Sequence, residues 1–188
     1  MIVIDNFLGI PAFEHIRDEM LGNRFPWTYS NTKVSEGTVE EINHFGNQQM
    51  FHIHYGFDHM IHKETSGSIS LVWPLLQILK PLALLRIKSN LQFATSELFQ
   101  SPFHCDMKTV PDNLDFKTCV YYLNTNNGLT VFEDTDETVE SVENRMVIFD
   151  GHRQHAGTTC TDKKIRAVIN LNFIPSNEIN LEDLKNDK

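Results

Sequence analysis

The chain has 188 residues, 40% of them hydrophobic and 22% charged, and a formal net charge of −9. This size and composition are typical of a soluble globular protein with a buried core. The negative charge argues against a nucleic-acid-binding surface, which needs clustered Lys and Arg to neutralise phosphates. Three cysteines without a Cys-x-x-Cys pair argue against a disulfide framework or a zinc ribbon.

The N-terminal region predicts a strand, a helix and then a less regular segment. Residues 1–8, "MIVIDNFL", predict a strand. This end has no basic start and contains Asp5, so we expect no signal peptide and a cytoplasmic protein. Pro11 suits the first turn of a helix that runs to about Gly22. Residues 24–67 are rich in Asn, Gly and His and predict loops with short strands.

The most apolar stretch is residues 69–85, "ISLVWPLLQILKPLALL". Two prolines, Gln77 and Lys80 interrupt it, which argues against a membrane span. We predict a buried helix over residues 70–79, followed by the start of a strand.

Beyond residue 84 the pattern changes to strands in series. Apolar and polar residues alternate over residues 85–93, which is typical of a strand with two different faces. The predicted strands are Leu84–Thr95, Leu98–Cys105, Lys117–Asn124, Leu129–Glu133, Thr138–Val142, Arg145–Phe149, Gln154–Thr159 and Ile165–Ile174. Turns are predicted at Asn126-Asn127-Gly128 and at Asp150-Gly151, and the acidic run from Glu133 to Glu143 predicts a solvated hairpin.

A series of short strands after a helical N-terminal part favours a mainly β fold with N-terminal helices, of the double-stranded β-helix (jelly-roll) type. We expect a single domain over residues 1–188. Its parts would be an N-terminal helical and loop support over residues 1–83, a jelly-roll core over 84–174 and a C-terminal tail over 175–188.

One stretch, "SPFHCDMKT", holds the only His-x-Asp motif of the chain. On a strand, residues i and i+2 point to the same face, so His104 and Asp106 can converge on one metal ion. Two His and one carboxylate on one face of a metal form the facial triad of non-haem Fe(II) oxygenases. Among the later residues, His152 and His155 are both available as the third ligand.

Three other features have ordinary explanations beside the functional ones. His52 and His54 alternate on one strand face and offer either a second metal site or solvent and substrate-loop histidines. Tyr121 and Tyr122 are adjacent, so only one of them can face a pocket. Cys119 has no evident His partner and is expected to be a small buried hydrophobic residue.

Four sequence blocks resemble the iron(II)/2-oxoglutarate-dependent dioxygenase superfamily, nearest to its prolyl 4-hydroxylase-like branch. They are "FHCD", "KTCVYYLNTNNGLTVFE", "NRMVIFDGHRQHAGT" and "RAVINLNF", and they occur in the family's order. This resemblance covers roughly residues 84–174, about half of the chain. "MIVIDNFL" and "FPWTY" are more loosely similar to the N-terminal portion of short members.

The resemblance implies the iron ligands residue by residue. They would be His104, Asp106 and His155, which would also be the catalytic residues. His152 lacks the family's spacing to Arg166, so the resemblance favours His155 over His152 as the third ligand. A carboxylate at Asp106 is unlike halogenase-type members, in which halide takes that position.

The resemblance also implies the cosubstrate contacts. Arg166 matches the residue that binds the distal carboxylate of 2-oxoglutarate, a role suited to two parallel charge-assisted hydrogen bonds. Tyr122 and Thr130 match further contacts, and Asn90 is added on strand parity alone. The family's Gly-Gly-x-Thr segment is Asn127-Gly128-Leu129-Thr130 in this sequence, without the first Gly. The alternative basic anchors are Lys88 and Arg153.

The implied activity is that of an Fe(II)-dependent dioxygenase with 2-oxoglutarate as cosubstrate, dioxygen as co-reactant and ascorbate as an optional cofactor. The nearest branch implies hydroxylation of a prolyl residue of a peptide or protein. A free amino acid or another small molecule stays open as the substrate, and no nucleic-acid or membrane partner is expected. The competing class is a non-catalytic jelly-roll binding module. Residues 24–67 and 107–116 are expected to determine the substrate.

Overall fold

The computed structural model describes residues 1–33, 37–58, 62–65, 67–108, 110–135 and 137–185, and these form two antiparallel sheets with three short α-helices. The strands are β1 (Ile2–Ile4), β2 (Thr28–Ser30), β3 (Gln49–Asp58), β4 (His62–Thr65), β5 (Ala83–Phe93), β6 (Lys117–Tyr122), β7 (Asn126–Phe132), β8 (Thr138–Ser141), β9 (Met146–Asp150), β10 (His155–Gly157) and β11 (Ile165–Ile174). The helices are α1 (Ile10–Leu21), α2 (Val39–Asn43) and α3 (Ile69–Leu79), with 3₁₀ turns at Phe45–Asn47 and Leu181–Lys185.

The large sheet has the strand order β1-β9-β6-β11-β5-β3-β2, with β4 paired to β3, and the small sheet has the order β10-β7-β8. Most neighbours in the large sheet, and the β10–β7 pair of the small sheet, are non-consecutive in the sequence, as in a jelly roll. The predicted fold class, mainly β with N-terminal helices, is confirmed. The proposed division of the chain at residues 83 and 174 stays a prediction. Strand β3 lies before the first of these boundaries but pairs with β5, which lies after it.

The large sheet has a different hydrophobic cluster on each face. Along β6, Cys119 and Tyr121 belong to the cluster that contains the buried faces of α1 and α3. Val120 and Tyr122 belong to a second cluster, with residues of the small sheet such as Phe132. Because side chains alternate along a strand, β6 contributes side chains both to the core between the large sheet and the helices and to the core between the two sheets.

Helix α3 accounts for most of the apolar stretch 69–85. It begins at Ile69 and ends at Leu79, as expected, and Lys80 follows it with a φ of 41° in the left-handed region. Its residues Val72 and Leu75 are fully buried in the cluster beneath the large sheet. Throughout the part of the protein that the structure describes, no helix has both the length and the apolar character needed to cross a membrane.

The prediction of loops with short strands was wrong for part of residues 24–67. The ten-residue strand β3 lies there and pairs with β5, from Met50 opposite Leu91 to Gly56 opposite Arg86. Its His, Gly and polar residues conceal the strand in the sequence, because it is stabilised by non-local pairing and by a half-buried setting. Residues 34–36, 59–61 and 66 lie outside the described residues.

Two local predictions after β5 were also wrong. Leu98–Cys105 forms only isolated bridges, at Gln100 and His104, and Pro102 between them cannot donate to a ladder. Asn126-Asn127-Gly128 is the start of β7, where the register shifts, and is not a turn. A glycine is needed at position 128 because the Arg166 side chain packs closely against it. A Cβ atom there would lie 2.6 Å from Cδ of Arg166.

The acidic run forms the predicted hairpin between β7 and β8, and its acidic side chains from Glu133 to Glu143 are exposed where they are described. Asp136, within this run, lies outside the described residues. Arg153 contacts this hairpin through Asp134 and Glu137.

Candidate metal centre and cosubstrate pocket

His104, Asp106 and His155 come together at one end of the space between the sheets. Each offers a ligand atom, and these atoms all lie within 4.8 Å of one another. His104 and His155 form an isolated antiparallel bridge, with backbone N–H···O distances of 3.0 Å in both directions. The bridge sets the two rings side by side, with centroids 4.9 Å apart.

Hydrogen bonds to backbone carbonyls fix the orientation of both imidazole rings. Nδ1 of His104 donates to the carbonyl of Pro102, and Nδ1 of His155 donates to the carbonyl of Arg153, each at 3.1 Å. The Nε2 atoms therefore carry the free lone pairs. Metal-binding histidines are typically oriented in this way.

Burial keeps both rings in the neutral form that binds metals. It lowers the pKa of His104 to about 4, with a smaller effect from the neighbouring His155. The pKa of His155 is also lowered, again chiefly by burial. At neutral pH neither imidazole needs to lose a proton before it coordinates a cation.

Asp106 is held as a carboxylate by Arg86 and Asn172. Its Oδ1 lies 2.6 Å from the Arg86 guanidinium, and its Oδ2 accepts from Nδ2 of Asn172 at 3.2 Å. Burial alone would raise the pKa of Asp106, but the charge of Arg86 and the nearby His155 and His104 lower it well below its usual range. Arg86 also donates to Oδ1 of Asn172 at 3.1 Å, so the three side chains form one network.

The structure does not bring His152 into this cluster. Its Nε2 donates to the carbonyl of Leu114 at 3.1 Å, and its ring packs edge-on against Phe116. His52 and His54 also lie elsewhere, and their Nε2 atoms are each 2.7 Å from the hydroxyl of Ser68 or Ser89. Among the described residues, His104, Asp106 and His155 form the one grouping of three such side chains.

Arg166 lines the same cavity and is 4% exposed. Its Nε donates to Ser141 at 2.9 Å, and one terminal nitrogen donates to Thr130 at 3.1 Å. The Tyr122 hydroxyl lies 2.7 Å from the same Thr130 oxygen, and the guanidinium carbon lies 5.6 Å from the Tyr122 ring centre. Burial lowers the pKa of Arg166, and no carboxylate among the described residues forms an ion pair with it.

The cavity is narrow, with a volume of about 30 Å³. Its lining includes both histidines of the cluster, Arg166, Thr130, Asn90, Asn170 and Lys33. The predicted residue Asn90 thus faces this space, and its Oδ1 is buried without a hydrogen-bond partner.

Sequence reasoning missed Lys33, Ser141, Arg86 and Asn172. The Lys33 ammonium lies 3.2 Å from the Ser101 hydroxyl and 3.3 Å from Oε1 of Gln92. Burial, reinforced by the charge of Arg166, lowers the pKa of Lys33 to about 7. A Cβ atom on Gly157 would meet Nζ of Lys33 at 2.9 Å and a nitrogen of Arg166 at 3.2 Å, so two cations flank this glycine. Lys33 follows β2 in an irregular segment, which offered no signal for its position.

Arg153 and Lys88, the two alternative residues for binding the distal carboxylate of 2-oxoglutarate, have different surroundings from Arg166. Arg153 is bound to the carboxylates of Asp134 and Glu137 outside the cavity, and its guanidinium lies over the Phe132 ring. Lys88 lies over the Phe51 ring, with its ammonium 5.0 Å from the ring centre. Of Arg166, Lys88 and Arg153, Arg166 is therefore the one that is deeply buried in the cavity with hydroxyl partners.

No protein-family model matches this sequence, and no curated protein matches it. Solved structures match over almost the whole chain. A prolyl hydroxylase of Trichoplax adhaerens, in complex with a hypoxia inducible factor peptide fragment, is 14% identical, with a TM-score of 0.58 over 92% of this chain and 82% of that one. A prolyl-4-hydroxylase of Pseudomonas putida is 12% identical, with a TM-score of 0.50 over 93% and 92%.

The non-haem α-ketoglutarate-dependent epimerase SnoN from nogalamycin biosynthesis is 10% identical, with a TM-score of 0.58 over 93% of this chain and 77% of that one. At these identities the similarity shows the fold. The fold is that of the 2-oxoglutarate- and Fe(II)-dependent oxygenases, prolyl hydroxylases among them.

Proposed function

We propose that the protein is an Fe(II)- and 2-oxoglutarate-dependent dioxygenase that hydroxylates a C–H bond. One observation carries this proposal. The two imidazoles of the His104–Asp106–His155 cluster line a cavity together with a buried guanidinium whose partners are hydroxyl groups. The two imidazoles and the carboxylate suit a divalent cation. The guanidinium suits an anion bound in the same cavity as that cation.

The donor set fits Fe(II). His104 and His155 are neutral and present Nε2, and Asp106 is ionised, so these residues would supply a facial set of one oxygen and two nitrogen ligands. Three further positions of an octahedral metal would stay available. Arg86 and Asn172 hold the Asp106 carboxylate in place and so would fix the third ligand.

Arg166 would hold the distal carboxylate of 2-oxoglutarate. A buried guanidinium binds a carboxylate with charge-assisted hydrogen bonds. Because Tyr122 and Thr130 share one hydrogen bond, one hydroxyl of this pair would be left to donate to the carboxylate. Ser141 supports Arg166 from the small sheet. Lys33, when protonated, adds a second positive charge beside Gly157, and a dianion bound in this part of the cavity would favour that protonated form.

The metal and cosubstrate would supply the oxidation. The balanced reaction converts 2-oxoglutarate, dioxygen and a substrate R–H into succinate, carbon dioxide and R–OH. The protein's own residues bind the cosubstrate, orient it between the cluster and Arg166, and exclude bulk water from the space between the sheets.

The sequence resemblance implies a prolyl residue of a peptide or protein as the substrate. Two of the similar structures are prolyl hydroxylases, one of them with a peptide, and this supports the proposal. The second candidate is a small molecule or free amino acid. It is favoured by unpaired polar groups on the inner face of the large sheet, near Lys88.

The test is the conversion of 2-oxoglutarate to succinate by the purified protein with Fe(II) in air, with and without ascorbate. We expect slow succinate formation even without substrate, and none in the His104→Ala variant. A wild-type protein that forms no more succinate than this variant would favour the non-catalytic binding module instead.

A further inference from the structure

The inner face of the large sheet carries a second polar region beyond Arg166. Lys88 on β5 lies opposite Asn170 on β11, and Asn90 lies two residues further along the same face of β5. Asn90 and Asn170 line the cavity together with His104 and His155. We call Lys88, Asn90 and Asn170 the amide–lysine patch.

Lys88 in this patch has no direct ion-pair partner among the described residues, and the carboxylate of Asp106 acts on it only from a longer distance. Its ammonium lies over the Phe51 ring, and no hydrogen bond or ion pair of its side chain is found among the described residues. Arg86, the next cation on this face, is already paired with Asp106 at 2.6 Å. Burial, together with the charge of Arg86, lowers the pKa of Lys88 to about 8. This half-buried ammonium has no acceptor among the described residues, so it is suited to an anionic ligand.

The two asparagines leave acceptors unpaired. Three buried side-chain oxygens or nitrogens lack a hydrogen bond in the described part of the protein, and two of them are Oδ1 of Asn90 and Oδ1 of Asn170. Asn90 is only 8% exposed. Their neighbours on the same strands, Gln92 and Asn172, are both hydrogen-bonded. The third unpaired atom is Oε1 of Gln49, which does not line the cavity. Since buried polar groups are normally paired, two unpaired oxygens on one cavity wall indicate a missing partner there.

The unpaired groups specify the chemistry of that partner. An ammonium calls for an anion such as a carboxylate, and two amide oxygens call for N–H donors. One small molecule offers both groups on a single carbon, namely a free α-amino acid. A residue inside a peptide offers no carboxylate, because its carboxyl group is part of a neutral amide, and a prolyl residue inside a peptide also has no N–H.

We propose that the substrate is a free α-amino acid, with its carboxylate on Lys88 and its amino group on Asn90 and Asn170. This inference rests on the proposed dioxygenase function. The patch borders the part of the cavity that holds His104 and His155, so an amino acid bound there directs its side chain toward the metal cluster. The oxidation then falls on a C–H bond of that side chain, with the atom balance given above.

The first experiment needs no variant. The protein with Fe(II), 2-oxoglutarate and dioxygen is incubated with a mixture of the twenty free L-amino acids, and the products are screened by mass spectrometry for the gain of one oxygen. A proline-containing peptide, acetylated and amidated at its ends, is the parallel probe. We expect at least one free amino acid to be oxidised and to stimulate succinate formation, and its methyl ester and N-acetyl derivative to lose at least about tenfold in kcat/KM.

The outcomes separate the two proposals. If no succinate is formed under any condition, the dioxygenase function itself fails. If succinate is formed without substrate, but only the blocked peptide is oxidised, the function holds and the amino-acid inference is overturned. Equal rates for a free amino acid and its methyl ester would also overturn it, because Lys88 would then have no carboxylate to bind.

Two variants test the patch directly. Lys88→Met removes the charge at similar length, and we expect the KM for the amino acid to rise at least about tenfold, by more than the KM for 2-oxoglutarate. Lys88→Arg should restore part of the affinity, because the charge remains. The matched control is Lys164→Met in an exposed turn, which should retain wild-type kinetics.

Asn170→Leu gives a readout that a purely structural role would not produce. Replacing this amide, whose Oδ1 is buried and unpaired, by an apolar side chain of similar size is expected to leave the melting temperature unchanged or raise it. Binding of the amino acid, measured by calorimetry on the Zn(II)-loaded protein with 2-oxoglutarate, should nevertheless weaken at least about tenfold. A variant that is less stable but binds the amino acid normally would show that Asn170 serves the fold and would overturn its assigned role.

Discussion

The protein contains two pairs of histidines with nearly the same spacing and different surroundings. The ring centroids of His104 and His155 are 4.9 Å apart, and those of His52 and His54 are 4.8 Å apart. In the first pair both Nδ1 atoms donate to backbone carbonyls, and the rings line a cavity beside Asp106. In the second pair both Nε2 atoms lie 2.7 Å from serine hydroxyls.

This difference shows that proximity of imidazoles does not make a metal site. The lone pair that would bind a cation has to be left unpaired by the protein, and a carboxylate has to lie nearby to offset the charge. Burial is not the distinguishing property, since it lowers the pKa of both His104 and His54 to about 4. We call His52 and His54 the serine-bound pair.

The largest expected effect is the loss of activity when the metal cluster is altered. We expect His104→Ala, Asp106→Ala and His155→Ala each to lower Fe(II)-dependent succinate formation at least about a hundredfold, because each would remove one of three ligands. The matched control is His152→Ala, which should keep most of the activity because His152 is bound to the Leu114 carbonyl outside the cluster. An inactive His152→Ala beside an active His155→Ala would show that the third ligand is wrongly assigned.

The second prediction concerns the number of metal ions. Calorimetric titration of the metal-free protein with Zn(II) should give one high-affinity ion per protein molecule, lost in His155→Ala. Because their Nε2 atoms are occupied by Ser68 and Ser89, His52→Gln and His54→Gln should both keep that one ion. A second equivalent that disappears in His52→Gln would contradict the contrast between the two pairs.

The sequence predicted much of the fold because its strongest patterns are local. The alternation in β5 and the spacing from His155 to Arg166 on β11 both correspond to strands in the structure. The same alternation could not tell which face meets solvent. The polar residues Arg86, Lys88, Asn90 and Gln92 suggest an outer surface, but at least Asn90 and Gln92 line the cavity and Arg86 reaches Asp106.

Other parts of the site could not be predicted, because they depend on long-range pairing. Arg86 meets Asp106 across twenty residues of sequence, and Ser141 supports Arg166 only because β8 folds back beside β7. Lys33 comes from a segment without periodicity. Strand β3 was missed because its polar residues obscure its alternation, although it pairs with β5 along most of its length.

The third prediction tests whether the metal cluster and Arg166 act on one molecule. We expect Arg166→Ala to raise the apparent KM for 2-oxoglutarate at least about tenfold, since a lost charge-assisted hydrogen bond costs roughly 1.5–3 kcal/mol. Tyr122→Phe should have a smaller effect, because a neutral hydroxyl is worth about 0.5–1.5 kcal/mol. Arg166→Lys should lie between Arg166→Ala and wild type, because it keeps the charge without the planar fork.

Titration of each variant with 2-oxoglutarate measures the apparent KM, and a separate titration with Fe(II) measures the metal affinity. Metal affinity without cosubstrate should barely change in the Arg166 variants, because Arg166 is not a proposed ligand. A wild-type KM in Arg166→Ala would assign the anchor to another cation, with Lys33 as the next candidate in the cavity.

The smallest expected effect is on stability and concerns the serine-bound pair. His54 is fully buried between Ser68 and Ser89, and burial, with a smaller effect from His52, lowers its pKa to about 4 from 6.5. Between these values the unfolded protein binds a proton that the folded protein does not, so the free energy of unfolding falls as the pH decreases through this window. At about 1.4 kcal/mol per pKa unit, the loss attributable to His54 between pH 7.5 and 4.5 is on the order of 2–3 kcal/mol.

Urea unfolding of the metal-free protein at both pH values measures this loss of stability. We expect the His54→Gln variant to lose correspondingly less stability than wild type, and the variant of an exposed histidine, His15→Gln, to lose as much as wild type. If His54→Gln loses as much stability as wild type, His54 accepts a proton in the folded state, and the serine-bound pair is then not held neutral by its surroundings.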